Sequence, residues 1–102
     1  MTIVQLEYLL AVANCGSFSL ASEKCFVTQP SLSMQIKNLE EELGVVLLDR
    51  SRKPVIATDA GEVVIRQARE AIKSFKMVRE SVADLREITF GKKRVSAILH
   101  LS

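Results

Sequence analysis

The chain has 102 residues, of which 48% are hydrophobic and 25% charged, with four Gly, two Pro and no Trp. That length holds one compact domain with an appended element rather than a two-domain enzyme, and the composition excludes disorder and collagen-like repeats. Fourteen basic side chains against twelve acidic ones leave a net charge of +2, so any basic footprint has to be local.

The longest apolar runs, Tyr8–Ala13 and Val45–Leu48, fall well short of the ~20 residues that span a bilayer, so no membrane partner is expected. No Lys or Arg precedes Lys24, and Glu7 interrupts the first run. The start therefore does not read as an export signal, and the cytoplasm is the expected location. Cys15 and Cys25 are too few for a disulfide scaffold, and with His100 as the lone histidine they make no metal site. They read as small core residues. Gly16, Gly44, Gly61 and Gly91 stand too far apart for a phosphate loop. Neither a catalytic set nor a cofactor is expected.

A first helix is predicted from about Ile3 to Asn14. Thr2 and Gln5 fit a capping box, and Ile3, Leu6, Leu9, Leu10 and Ala13 form one apolar stripe. Gly16 can leave the helix in the left-handed region while Ser17 caps the next one, a short helix from about Phe18 to Lys24. The tight connection Phe26-Val27-Thr28 follows. A third helix is predicted from about Gln29 to Leu43, capped by Thr28, with Pro30 in the first turn, where its missing N–H costs nothing. Leu32, Ile36, Leu39 and Leu43 share one face of it, and Gln29, Ser33, Met34 and Lys37 share the other. Two short helices joined by a tight turn, the second opening with small polar side chains, describe a helix-turn-helix. Its polar face suits the hydrogen-bonding edges of a major groove. A solvated face on an ordinary three-helix core fits the same pattern.

Val46–Arg50 and Val55–Thr58 read as two short strands around Ser51-Arg52-Lys53-Pro54, a hairpin with basic residues near its tip. Residues 1–45 carry two basic and five acidic side chains, whereas 46–79 carry eight basic and four acidic. The positive field is thus centred on the hairpin and the segment after it. A wing that grips phosphates while a nearly neutral helix reads bases would distribute charge this way. A solvated charged turn is the plainer alternative.

A long helix is predicted from Thr58, a candidate N-cap, with Asp59 and Glu62 in its first turn. Val64, Ala68, Ala71, Phe75, Val78, Val82 and Leu85 recur at alternating spacings of 4 and 3 between mostly charged residues. This stripe is assigned to homodimerisation. Folding of the helix back onto its own head is the other reading. From Phe90 the pattern changes: Lys92-Lys93-Arg94 is followed by the apolar run Val95–Leu101, a strand with nothing to pair with.

The stretch Gly16-Ser17-Phe18, Ala21, Val27-Thr28-Gln29-Pro30-Ser31-Leu32-Ser33, Gln35-Ile36, Leu39–Val45, Leu47-Leu48, Arg50, Thr58 and Ala60-Gly61 resembles the N-terminal DNA-binding domain of LysR-type transcriptional regulators. Cys25 with Val27–Pro30 and the segment Leu43–Leu48 is most similar to the peroxide-responsive members. The resemblance implies a mainly α fold. It places a winged helix-turn-helix of three helices and a β-hairpin wing at 1–58, a dimerisation linker helix at 59–89, and the start of a missing effector domain or a tail at 90–102. It implies a bacterial regulator that binds an interrupted inverted repeat in double-stranded DNA as a dimer or tetramer, with ligand or redox sensing confined to the missing C-terminal domain.

By position, the resemblance puts Thr28, Gln29, Pro30 and Ser33 against bases or adjacent phosphates, with Gln35 a lesser candidate. It puts Arg50 on a phosphate, and Arg52 or Lys53 in the minor groove. Met34 stands where Arg is frequent in the family, which removes one contact, and Leu20 where a polar residue is common. Cys15 and Cys25 lie in the head and would not be a sensing pair. From a different class, the chain could be a helical protein–protein interaction module that acts through its heptad helix.

Overall fold

The computed structural model describes residues 1–90; the apolar run Val95–Leu101 lies outside them. The order of elements is α1 (Ile3–Cys15), α2 (Phe18–Lys24), α3 (Gln29–Leu43), β1 (Leu48–Asp49), β2 (Ile56–Ala57) and α4 (Asp59–Phe90). The helices begin where short polar side chains supply the acceptors that a first helical turn lacks. Thr2 and Gln5 form a reciprocal capping box on α1, Ser17 Oγ accepts from Leu20 N, and Thr28 Oγ1 accepts from Ser31 N. Thr58 Oγ1 accepts from Gly61 N at the start of α4 and itself donates to the Val46 carbonyl.

Both expected helix stops occur with left-handed glycines, Gly16 at φ 68° and Gly44 at φ 73°. The turn between α2 and α3 also uses the left-handed region, but through Phe26 at φ 58°, which is 93% exposed. A bulky L-residue there carries a cost of about 1–2 kcal/mol. Its backbone is nevertheless tied on both sides, with Phe26 N donating to the Glu23 carbonyl and Val27 N to that of Ser22.

Leu9, Val12, Leu32, Ile36, Leu39, Leu47 and Leu48 are the largest wholly buried side chains, each worth roughly 1.5–3 kcal/mol of apolar burial. The α3 stripe is buried as expected through Leu39, while Leu43 at its end stays partly exposed. On α1 the inward set is Gln5, Leu6, Leu9 and Val12, so Leu10 and Ala13 sit at the margin and a glutamine enters the core. Cys15 and Cys25 are partly buried against the same cluster and are not bonded to each other.

The hairpin is shorter than the pattern suggested. β1 and β2 pair antiparallel with Leu48 opposite Ala57 and Asp49 opposite Ile56, and the base is fastened by Thr58 N donating to the Leu47 carbonyl. The wing is also pinned to the α1–α2 corner, where Val55 N donates to the Gly16 carbonyl at 2.9 Å. A Cβ at Gly16 would lie 2.7 Å from the Pro54 Cβ, so this corner requires glycine for space as well as for φ.

One compact unit covers Met1–Ile72, and a second begins at Lys73. That division falls inside α4. Ile65, Ala68 and Ile72, spaced 3 and 4, enter the core of the head. Ala68 therefore departs from the expected partner-facing stripe: at 2% exposure it packs into its own chain. The start of α4 lies tight against the segment leading into β1 at Gly61, where a Cβ would collide with the Leu47 carbonyl oxygen.

Candidate nucleic-acid interface

The first two turns of α3 present Thr28, Gln29, Pro30 and Met34 as exposed residues, and Lys37 continues the exposed face. Core burial of Leu32, Ile36 and Leu39 fixes this rotation of the helix. Gln29 is not loose on that face. Ser19 Oγ donates to its Oε1 at 3.2 Å, which orients the amide and leaves Gln29 both Nε2 hydrogens and the second lone pair of Oε1 to offer a base. Ser19 on α2 is a partner that the sequence did not reveal.

A cleft between the starts of α2 and α3 and the wing is lined in part by Ser17, Phe18, Gln29, Arg50 and Lys53. Three of the residues singled out in the sequence thus meet at one place. Arg50 Nη1 donates to Ser33 Oγ at 3.0 Å, its Nη2 donates to Glu40 Oε1 at 3.2 Å, and its guanidinium lies 4.6 Å from the centre of the Phe18 ring. Lys37 and Arg50 border an adjoining cleft with Glu40, Asp49 and Thr58.

Gln35 makes a contact within the head. Its Oε1 accepts from Gln5 Nε2 at 3.1 Å, across the α1–α3 contact. Because Gln5 Oε1 already accepts from Thr2 N, the donor end of the Gln5 amide faces Gln35, and the pair is structural.

At the wing, Asp49 Oδ1 accepts from both Ser51 N and Ser51 Oγ, while its Oδ2 lies 3.4 Å from Arg52 Nε. The Ser51 hydroxyl and amide, followed by the Arg52 charge, hold the Asp49 carboxyl below its ordinary pKa. Arg52 is mostly exposed, and Lys53 stands next to it at the tip. The Cys25 thiol is pushed up, chiefly by burial and then by the charges of Glu7 and Cys15. A thiol held protonated in this way is a poor nucleophile.

A winged helix-turn-helix with these residues at the start of its second helix matches the family model "Bacterial regulatory helix-turn-helix protein, lysR family" over residues 3–62. The chain belongs to the LysR family. The described head is a LysR-type helix-turn-helix DNA-binding domain. It is 40% identical over 98 residues to the hydrogen peroxide-inducible genes activator of Pectobacterium carotovorum subsp. carotovorum, a match covering 96% of this chain and 32% of that protein. The same identity and coverage hold for the DNA-binding transcriptional dual regulator OxyR of Escherichia coli K12. The chain thus spans about a third of the length of these relatives.

Among solved structures, the DNA-binding domain of BenM in complex with the benA site 1 DNA superposes with a TM-score of 0.80 at 35% identity, covering 83% of this chain and 99% of that one. A neighbour of nearly equal extent captured on DNA favours the DNA-binding reading of the head over an interaction module. LysR proteins form a regulator family, not an enzyme family. No helix among the described residues is long and apolar enough to cross a membrane.

Proposed function

We propose that the chain binds double-stranded DNA sequence-specifically as a homodimer, at an interrupted inverted repeat, as the DNA-binding part of a transcriptional regulator acting in the cytoplasm. The observation that carries the reading is the convergence of Gln29, Ser33, Arg50 and Lys53, from α3 and the wing, on one exposed surface. Thr28, Gln29, Pro30 and Ser33 face base edges or the adjoining phosphates, with Met34 and Lys37 flanking them. Arg50 contacts a phosphate, and Arg52 and Lys53 carry the wing tip to the minor groove. None of these roles involves a catalytic step. The relatives' names point to peroxide-responsive regulation, with sensing outside the described head, consistent with a Cys25 thiol held protonated.

Dimerisation is assigned to the exposed stripe of α4 from Phe75 through Val78, Val82 and Leu85, each half or more exposed. Val64 and Ala71 border an apolar cleft on the head with Met1, Leu6 and Leu43, and a second copy covers it.

The test is binding to a panel of duplexes at several salt concentrations. Gln29→Ala should lose discrimination at one base position by roughly 1–3 kcal/mol, while Arg50→Ala should weaken binding to every sequence and lower the salt slope by about one. Equal loss on selected and random duplexes for Gln29→Ala rejects the reading role. Absence of salt-dependent binding to any duplex rejects the function.

A further inference from the structure

The position of Glu40 is unexpected for a DNA-binding surface. It places a carboxylate beside the arginine to which a phosphate contact is assigned, where simple charge repulsion opposes a polyanion. Both of its oxygens are engaged. Oε2 accepts from Leu47 N at 2.8 Å and from Leu48 N at 3.3 Å, and Oε1 accepts from Arg50 Nη2. The Glu40 side chain is only 12% exposed, against 36% for Arg50. The carboxylate is thus anchored by the backbone that leads into β1, and it holds the guanidinium from one edge.

Phe18 packs on the guanidinium face, and Ser33 Oγ accepts from Nη1. A guanidinium has five N–H donors. Two are engaged here, which leaves three for an incoming anion in a group whose plane is already set. Ser33 is tuned by the same contact: with one lone pair engaged by Arg50, its hydroxyl proton is directed to another acceptor.

We infer that Glu40 is a positioning residue for DNA binding, acting with Phe18 to hold the Arg50 guanidinium in the orientation that receives a phosphate and to leave the Ser33 hydroxyl as a donor to the DNA. This rests on the phosphate role proposed for Arg50. Pre-setting a long side chain removes the ordering cost that binding would otherwise incur.

The sign of one substitution decides the matter. If Glu40 acted only through its charge, Glu40→Gln would remove an anion next to the DNA and tighten binding. As a positioning residue, its replacement should weaken binding about three- to ten-fold despite the gain in net positive charge. The experiment measures the affinity of the whole chain for a mixed-sequence duplex by fluorescence anisotropy across a salt series. Glu40→Gln, Phe18→Leu, Arg50→Ala and the double variant Glu40→Gln/Arg50→Ala are compared, each checked for folding by circular dichroism.

The expected result is weaker binding for Glu40→Gln and Phe18→Leu, with no further weakening when Glu40→Gln is added to Arg50→Ala. Tighter or unchanged binding for Glu40→Gln overturns the inference. So does an equal loss in the Arg50→Ala background, which would place the effect in the fold. If Glu40→Gln does not fold, Phe18→Leu decides, since it removes the stacking without freeing the Leu47 and Leu48 amides; unchanged affinity then overturns the inference. An Arg50→Ala variant with unaltered affinity and salt slope instead rejects the phosphate role itself, and the inference falls with it.

Discussion

Gln35 lies on the recognition helix among residues assigned to DNA, yet its side chain bonds to Gln5 on α1. Replacing it with alanine therefore separates stability from recognition. Gln5 is 8% exposed, so losing its acceptor leaves a nearly buried N–H pair unsatisfied, a change that costs about 1–3 kcal/mol. Two effects pull the value toward the lower end. Gln35 is only half-buried, so water can reach part of the vacated site, and alanine is the better helix former by a few tenths of a kcal/mol.

The expected net loss is about 1 kcal/mol, which lowers the melting temperature by roughly 4–8 °C in a unit of this size. Thermal melts at fixed protomer concentration measure it, and a double-mutant cycle with Gln5→Ala should return a coupling of about 0.5–1.5 kcal/mol. Discrimination among duplexes should be unchanged. A variant that melts like the parent and loses preference at one base position would falsify the assignment and return Gln35 to the interface.

Gly61→Ala should be damaging, because Gly61 is buried, the new Cβ meets the Leu47 backbone carbonyl and backbone cannot yield as a side chain does. A loss at or above the roughly 1–3 kcal/mol typical of overpacking is expected, and a melt within 1 kcal/mol of the parent would contradict the close approach. For Asp49 the folded pKa is depressed. Its contribution to wing order is therefore complete above the ordinary carboxylate range and is lost as pH falls through the lowered value. Carboxyl-carbon NMR should show Asp49 titrating below the ordinary aspartate value, and titration at or above that value would remove the Ser51 and Arg52 contacts from the account. Phe75→Asp should place a charge in the exposed α4 stripe and yield monomers in sedimentation; a variant that still dimerises would relocate the interface.

Features set by residues close in sequence are legible from the sequence alone. Thr2, Ser17, Thr28 and Thr58 were read as caps and each accepts the expected amide, because a cap depends only on the next three residues. The α3 apolar face was legible for the same reason. What escaped depends on distant partners. Gln5 and Gln35, thirty positions apart, are ordinary polar residues until packing brings α1 against α3. Ser19 and Glu40 gain their roles only when α2 and the wing arrive beside α3. On α4 the buried stripe is Ile65, Ala68 and Ile72, so Ala68, which helical spacing alone puts on the partner-facing stripe, is covered by its own head, while Phe75, Val78, Val82 and Leu85 stay exposed. Phe26 gave no warning of its left-handed backbone, because glycine or asparagine is the usual signal there.

Charge counting was the weakest guide, and the structure shows why. The acidic excess of residues 1–45 and the basic excess of 46–79 suggest a wing that grips phosphates beside a nearly neutral reading helix. In the fold, Glu40 from the acidic segment pairs with Arg50 from the basic one, and Asp49 pairs with Arg52 within the wing. The paired cations keep their hydrogen-bond donors while losing much of their long-range field, so in the proposed function their part is orientation rather than attraction from a distance. Lys53, which has no ion pair among the described residues, keeps its field and can draw the wing toward phosphate. In the proposed function a head with little net charge relies on placement: the guanidinium donors of Arg50 and Arg52 are already oriented by their carboxylate partners, and Lys53 adds a charge without an ion pair at the tip.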